Sequence, residues 1–290
     1  MENTLVSIVI PCYNQSQYLE ECLTSLTDQN YTNWEAVVVD DASTEGDACA
    51  IVRSFTDERV RYMRHSTNRG LAAARNSGIK NSTGPLLLPL DADDKLDPRY
   101  LEKTVHALAS QPDRHAAFAD FLGFGAREQT INFRIKDVKE MLRGQWIPGP
   151  GTLMRRVLWE EVGGYCEAKE LHSGNEDWDF WIGVAENGLN VAHLPEPLYC
   201  YRIHRESMST RQRYTEYATR RFVYTRHRKL FDHYRMKHLF LGEGYRRSIE
   251  ASWSRREWGR AVRLALEGAW LIPTAIAAPI RIARGSIKRR

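Results

Sequence analysis

Four aspartates fall within seven positions of the stretch LLLPLDADDKLDP, at Asp91, Asp93, Asp94 and Asp97, directly behind a run of leucines. Like charges this close repel, and two arrangements relieve them. In a solvated turn, Asp side chains bond nearby backbone amides. Alternatively, a hard divalent cation takes oxygen ligands and tolerates neighbouring carboxylates. In an extended chain Asp91 and Asp93 project to the same side, where a cation would sit between them and a phosphate. A second acidic group, Glu176 and Asp177 with Asp179, lies in NEDWDFW ahead of an aromatic, apolar run. Acids at a helix start complement the dipole and cap free amides, at ~0.3–1 kcal/mol each. That role suits Asp179. A carboxylate so placed can also take the proton of an attacking hydroxyl.

These groups need elements to position them. Val6 to Ile10 is a β-branched run stopped by Pro11, the mark of a buried strand. QYLEECLTSLTDQ puts Tyr18, Leu19, Cys22, Leu23 and Leu26 on one helical face. WEAVVVDDAS is a second apolar strand, ending in Asp40 and Asp41; DACAIVRSF reads as a helix, VRYMRH as a short strand, GLAAARNSGIKNSTG as a small-residue helix, and PLLLPL as the next buried strand. This alternation predicts an α/β fold with a largely parallel central sheet covered by helices on both faces. In such sheets ligands bind beyond the carboxyl ends of the strands. Pro11 to Asn14, Asp40 with Asp41, and Asp91 to Asp94 all stand at such ends, so three polar clusters converge on one crevice. A bland turn has no reason to recur at every strand end.

Several function classes are disfavoured. PCYNQSQ, after the first strand, lacks the glycines of a dinucleotide-binding turn, and no P-loop is present. Five scattered cysteines show no short paired spacing, which suggests neither a disulfide framework nor a zinc site and fits a reducing cytoplasm. The start, MENTLVSIVIPCYN, has no basic region ahead of its apolar run, unlike a signal peptide. Charge is divided along the chain: from residue 201 onward 22 Lys and Arg face 7 Asp and Glu, whereas the first 200 residues carry 19 against 30. The acidic front suits cations and the basic back suits anionic surfaces.

SIVIPCYNQSQYLEECLTSLTDQNYTNWEAVVVDDAST, NRGLAAARNSGI, LLLPLDADD and GGYCEAKELHSGNEDWDFWIGVAENG occur in the order and spacing of the inverting family 2 glycosyltransferases of the GT-A fold, and the resemblance covers roughly residues 5–207. It implies a Rossmann-like nucleotide-diphospho-sugar fold, a nucleotide-sugar donor of the UDP type, Mn²⁺ or Mg²⁺, and a glycan or polyprenyl-linked acceptor in cell-surface polysaccharide synthesis. Asp91, Ala92 and Asp93 match the family's DxD motif, with Asp93 the metal ligand and Asp91 beside the ribose and metal waters. Asp41 and Asp40 match acids that meet the base; Pro11, Tyr13 and Asn14 line the same pocket, and Arg69 falls near the base or phosphates. Glu176 and Asp177 match the pair that supplies the catalytic base, assigned to Asp177. His204, or Arg202 beside it, lies in the returning segment that completes metal or diphosphate binding.

The expected division is a catalytic domain over 1–210, with a donor half to 110 and an acceptor half over 111–210, followed by a basic helical extension over 211–290. Trp146 reads as a sugar platform or a core aromatic, and Gly149 to Thr152 as a mobile rim. Apolar positions recur at helical spacing after Thr210. The uncharged run from Gly268 to Ile280 contains Pro273 and Pro279 and is shorter than the ~20 residues a spanning helix needs. The tail beyond residue 268 either lies on an anionic membrane surface, making the protein peripheral on the inner face of the cell membrane, or packs back on the domain. No nucleic-acid motif accompanies the basic charge. The rival functions are a nucleotidyltransferase, which would want a Gly-rich basic loop after the first strand, and a sugar-binding relative without turnover.

Overall fold

The computed structural model describes residues 3–172, 174–204 and 209–271. In chain order the elements are β1 (Val6–Cys12), α1 (Ser16–Thr27), β2 (Trp34–Asp40), α2 (Ala48–Ser54), β3 (Val60–Arg64), α3 (Leu71–Lys80), β4 (Leu86–Pro89), β5 (Lys95–Leu96), α4 (Tyr100–Ala109), β6 (Ala116–Gly125) and β7 (Gln129–Ile131). There follow α5 (Val138–Met141), β8 (Thr152–Arg155), α6 (Arg156–Val162), a 3₁₀ turn (Lys169–Leu171), α7 (Glu176–Glu186), β9 (Val191–Ile203), α8 (Ser209–Arg226), α9 (Arg228–His233), α10 (Lys237–Ser254) and α11 (Trp258–Gly268). They group into two compact units. One comprises Met1–Lys136, Trp146–Glu167 and Glu176–Arg205; the other comprises Asp137–Gln145, Ala168–Asn175 and Glu206–Arg290.

The first unit is built on one nine-stranded sheet in the order β3-β2-β1-β4-β8-β6-β9-β5, with β7 beside β6. Every residue of β1 is buried, as a central strand covered on both faces requires. On one face Val6, Ile8, Ile10 and Val38 pack with Leu19, Leu23 and Leu26 of α1 and Leu101 and Val105 of α4. On the other, Val37 and Val39 meet Ala74 of α3. A Cβ on Gly78 would lie 2.3 Å from Val9 Cγ1, so the small residues of α3 are what let this helix approach the sheet so closely.

Strands β3, β2, β1 and β4 pair in parallel, as the alternating sequence predicts. Beyond β4 the sheet departs from the largely parallel expectation. The β4–β8, β8–β6, β6–β7 and β5–β9 pairs are antiparallel, and only β6–β9 is parallel again. Residues 126–128, which join β6 to β7, are too few for a parallel crossover, so this return must be a hairpin.

The second unit is helical. Phe231, Phe240, Tyr245 and Ile249 are buried in it. Gly244 lets α10 approach α8, since a Cβ there would lie 2.8 Å from Arg220 Cδ. Arg220 is itself buried and donates from Nε to Glu216 at 2.9 Å.

Candidate active site at the carboxyl ends of the parallel strands

The β1–β2 register pairs Cys12 with Asp40, and the β1–β4 register pairs Val9 with Pro89. The loops after all three strands therefore leave from one edge of the sheet. Asn14, in the left-handed region at φ 54, ties two of them together: its Oδ1 accepts from the Thr44 N–H at 2.8 Å and the Glu45 N–H at 3.1 Å. Pro11 is buried as part of β1, whereas Tyr13 is exposed beside it.

Asp40 and Asp41 are buried and committed to their own chain. Asp40 accepts from the Ser43 N–H at 2.7 Å, from the Tyr62 hydroxyl at 2.8 Å and from the Arg64 guanidinium. Burial would raise its carboxyl, but these donors outweigh that and hold it below its ordinary value. Asp41 accepts from the Arg69 and Gly70 N–H groups at 2.9 and 2.7 Å and lies 2.6 Å from His65 Nδ1. Both carboxylates thus shape the loops that follow β2 and β3. The Arg69 side chain pairs with Glu167 at 3.0 Å.

The DAD turn is differentiated residue by residue. Ala92 is fully buried. Asp94 is also buried, accepting from the Tyr199 hydroxyl and the Arg202 N–H, each at 2.7 Å. Burial first, and then the Asp91 and Asp93 charges, push its carboxyl well above the ordinary value. Asp94 thereby anchors the turn to β9. Asp93 Oδ2 lies 2.7 Å from His204 Nε2, an exposed side chain. The same turn is gripped by Arg202, whose Nε donates to the Asp93 carbonyl at 2.8 Å while its guanidinium lies over the Tyr18 and Phe124 rings. Asp91 is closely surrounded by protein yet keeps 27% of its side chain accessible, as on the floor of a cleft. Burial and the Asp93 charge raise its carboxyl, against the pull of Arg75.

Arg75 is the residue that sequence reading passed over. It is 1% exposed, and it spans two elements: Nη2 donates to Asp91 at 3.0 Å and Nη1 to Glu176 at 2.6 Å. Burial works against its charge, but the Asp91 and Glu176 carboxylates more than compensate and raise its pKa. Glu176 is buried too, and burial followed by the Asp177 charge pushes it up to about 7, with Arg75 opposing. One guanidinium therefore fastens the floor after β4 to the first turn of α7, bringing the DAD turn and the acidic pair into one site. The only signal in the sequence was an arginine amid the small residues of LAAARNSG.

Asp177 is only partly buried, and its carboxylate packs against backbone at Gly149. A Cβ on Gly149 would lie 1.8 Å from Asp177 Oδ2. The 149–152 segment, expected as a mobile rim, is joined to its surroundings by three hydrogen bonds. The Gly151 N–H donates to the Pro89 carbonyl at 2.8 Å, Thr152 Oγ1 donates to the Pro148 carbonyl at 2.7 Å, and the Tyr100 hydroxyl donates to the Gly151 carbonyl. Trp146 is buried with its ring 6.5 Å from that of Phe118, so of its two readings the core aromatic stands. Asp179 is buried within α7.

Among the described residues no three acidic, His or Cys side chains converge as a ready-made metal cage. The donors that do meet are Asp93 and His204, while Asp91, two residues before Asp93, is held by Arg75 at the cleft floor. That set fits a divalent cation that keeps waters and takes its remaining ligands from phosphates.

Comparison with known proteins agrees with this architecture. Residues 7–166 match the family described as Glycosyl transferase family 2. The chain is 30% identical over 205 residues to the putative glycosyltransferase EpsE of Bacillus subtilis, covering 68% of this chain and 72% of that one. It is 29% identical over 215 residues to the putative teichuronic acid biosynthesis glycosyltransferase TuaG of the same organism, covering 71% and 82%. Among solved structures, S. aureus TarS 1-349 in complex with UDP-GlcNAc superimposes with a TM-score of 0.67 at 18% identity, covering 95% of this chain and 87% of that one. The mannosyltransferase PcManGT from Pyrobaculum calidifontis, in complex with GDP-Man and Mn²⁺, does so with a TM-score of 0.58 at 21% identity, covering 96% and 75%. With the sheet, the strand-end loops and the family match in agreement, the chain belongs to glycosyltransferase family 2 and has the GT-A fold.

Proposed function

We propose that the protein transfers a sugar from a nucleotide-sugar of the UDP type to a glycan or polyprenyl-linked acceptor, with inversion, in the synthesis of a cell-surface polysaccharide. The observation that supports this reading is the Arg75 bridge, which joins Asp91, two residues before Asp93, to Glu176, the neighbour of Asp177. Asp177 takes the proton of the acceptor hydroxyl at its carboxylate as that oxygen attacks. Glu176, paired with Arg75, holds the first turn of α7 in place for it. Asp93, Asp91 and His204 would hold Mn²⁺ or Mg²⁺, with Arg202 bracing the turn from behind. Held there, such a cation would supply positive charge against the negative charge that develops on the leaving diphosphate oxygen. Asp40, Asp41, Asn14 and Arg69 form the wall toward the nucleotide base, Pro11 and Tyr13 its entrance, and Ala92 the close-packed floor. Residues 1–210 would be the catalytic domain, its donor half reaching residue 110, with 211–290 an appendage. The membrane-binding tail proposed from sequence falls mainly at 272–290, outside the described residues.

Support for the donor class comes from the nucleotide-sugars carried by TarS and PcManGT in their solved complexes. A screen of nucleotide-sugars for thermal stabilisation, with and without Mn²⁺, tests it. A Mn²⁺-dependent rise with one donor, followed by transfer to a glycan or lipid-linked acceptor, is expected. Stabilisation by nucleoside triphosphates with release of pyrophosphate would favour the nucleotidyltransferase, and donor binding without any transfer or hydrolysis would favour the non-catalytic relative.

A further inference from the structure

Helix α11 has two apolar faces. Ala261, Leu264 and Gly268 are buried, and Gly268 is required there because a Cβ would lie 2.9 Å from the Tyr245 ring of α10. That face explains how the helix packs. On the other side Trp258, Val262 and Leu266 follow at four-residue spacing and are 49%, 53% and 74% exposed, and Trp270, two residues past the end of the helix, is 64% exposed. Residues four apart are neighbours on a helix surface, so Trp258, Val262 and Leu266 make a continuous stripe. Single exposed apolar residues need no explanation, but a stripe with a tryptophan at one end and another just past the other does.

The rim of the stripe is cationic. At one end Trp253 meets Trp258 edge-on at 4.6 Å, and Arg255 and Arg256 are exposed beside them. At the other, Lys237 stands 5.7 Å from the Trp270 ring. There a groove of ≈ 420 Å³ opens, lined by Arg221, Lys237, Tyr245 and Trp270, with Glu267 as its acid. Neither Arg221 nor Lys237 has a carboxylate partner among the described residues. Elsewhere in the unit, arginines are matched, Arg246 and Arg247 to Glu243 and the buried Arg220 to Glu216.

We propose that the outer face of α11 is a docking surface for an anionic phospholipid bilayer. The stripe enters the headgroup–acyl boundary, the two tryptophans sit at headgroup level, and Arg221, Lys237, Arg255 and Arg256 meet lipid phosphates. No described helix is long and apolar enough to cross a membrane, so the contact is peripheral. Charge selects this occupant over two others. A second copy would set the cationic rim of one stripe, with Arg221, Lys237, Arg255 and Arg256, against the same rim of another. Residues 272–280 are uncharged, but 281–290 carry Arg281, Arg284, Lys288, Arg289 and Arg290 and no acid, so folding the whole of 272–290 over the stripe would add like charge to a cationic rim.

Vesicle co-sedimentation of the full chain tests this. Vesicles with ~30% phosphatidylglycerol should bind at least tenfold more tightly than pure phosphatidylcholine, and about 0.5 M NaCl should weaken that binding severalfold. Val262→Glu with Leu266→Glu should lower binding at least tenfold at an unchanged melting temperature, because both side chains are already exposed. Brominated lipid should quench the tryptophan fluorescence of the unmutated chain and quench Trp258→Phe with Trp270→Phe much less. Binding undiminished in the double glutamate variant would overturn the proposal, as contact would then be made elsewhere in the chain. A lower melting temperature with unchanged partition would overturn it in favour of residues 272–290 covering the face. A dimer that the same variant dissociates, with no vesicle binding, would overturn it in favour of a second copy.

Discussion

Gly149 and Asp177 compete for one small volume, and the absence of a side chain at 149 is what lets the Asp177 carboxylate lie against the backbone. Alanine suits the backbone there, since Gly149 is not among the left-handed glycines. Gly149→Ala should therefore leave the fold intact while displacing the carboxylate by about an ångström, a misplacement worth roughly 10² in rate. We expect kcat to fall by about that factor with the donor KM within twofold; an unchanged kcat would show that the position of Asp177 does not matter to the reaction. Asp177→Asn removes the proton acceptor itself and should cost ~10²–10⁴ in kcat, with donor binding by calorimetry retained. Arg75 makes a different case because it is buried between two acids. Arg75→Ala leaves Glu176 enclosed without its counter-charge, a loss of ~3–5 kcal/mol by comparison with broken buried pairs. Arg75→Lys keeps the charge but cannot reach both carboxylates as a planar fork does. It should melt closer to the unmutated protein yet transfer sugar more than tenfold more slowly.

Glu35 of β2 is the clasp between the amino-terminal strands. It accepts from Ser7 Oγ at 2.8 Å, from the Thr83 N–H at 2.6 Å and from Arg61 at 2.6 Å, joining β1, β3 and the turn before β4. Burial would raise its carboxyl, but these donors bring it down to about 2. A carboxyl depressed in the folded state contributes stability above its unfolded value of 4.5 and loses it as pH falls toward 2. On the order of 2 kcal/mol, allowing for partial solvent access, should disappear across that interval. Glu35→Gln should start lower at neutral pH and show a flatter decline, read by urea titration at each pH. A decline as steep as that of the unmutated chain would place the acid sensitivity elsewhere. This half of the sheet was legible in the sequence because β1, β2 and β4 are mainly apolar runs that end at or near Pro11, Asp40 and Pro89. The other half was not. β9 carries Pro195 and Pro197 and alternates in burial, and it is accommodated by register shifts around Asp120 that no local pattern announces. The same physics governs the site: clustered acids after apolar runs stand out, whereas Arg75 among alanines reads as solvent-facing until partners 16 and 101 residues away enclose it.

The whole molecule divides its tasks as it divides its charge. Arg75, Asp91, Asp93, Glu176, Asp177 and His204 all belong to the first unit, which is net negative with 18 basic against 27 acidic residues, while the second is net positive with 23 against 10. The helical unit carries its own buried ion pair. Glu216 holds Arg220 at 2.9 Å and Arg247 at 3.3 Å, and burial pulls the Arg220 guanidinium below its ordinary value while Glu216 opposes the shift. Glu216→Gln takes the counter-charge from Arg220, which lies buried beneath the Phe240 ring and donates to the Phe240 carbonyl at 3.3 Å; losing the charged partner of a buried pair costs ~3–5 kcal/mol. Calorimetry should register that loss. If the proposed donor site is complete within the first unit, the affinity for the nucleotide-sugar should stay within twofold in the same variant at a temperature where it remains folded. An affinity that falls together with stability would mean that the helical unit contributes to the donor site, and the assignment of donor binding to the sheet edge alone would have to be abandoned.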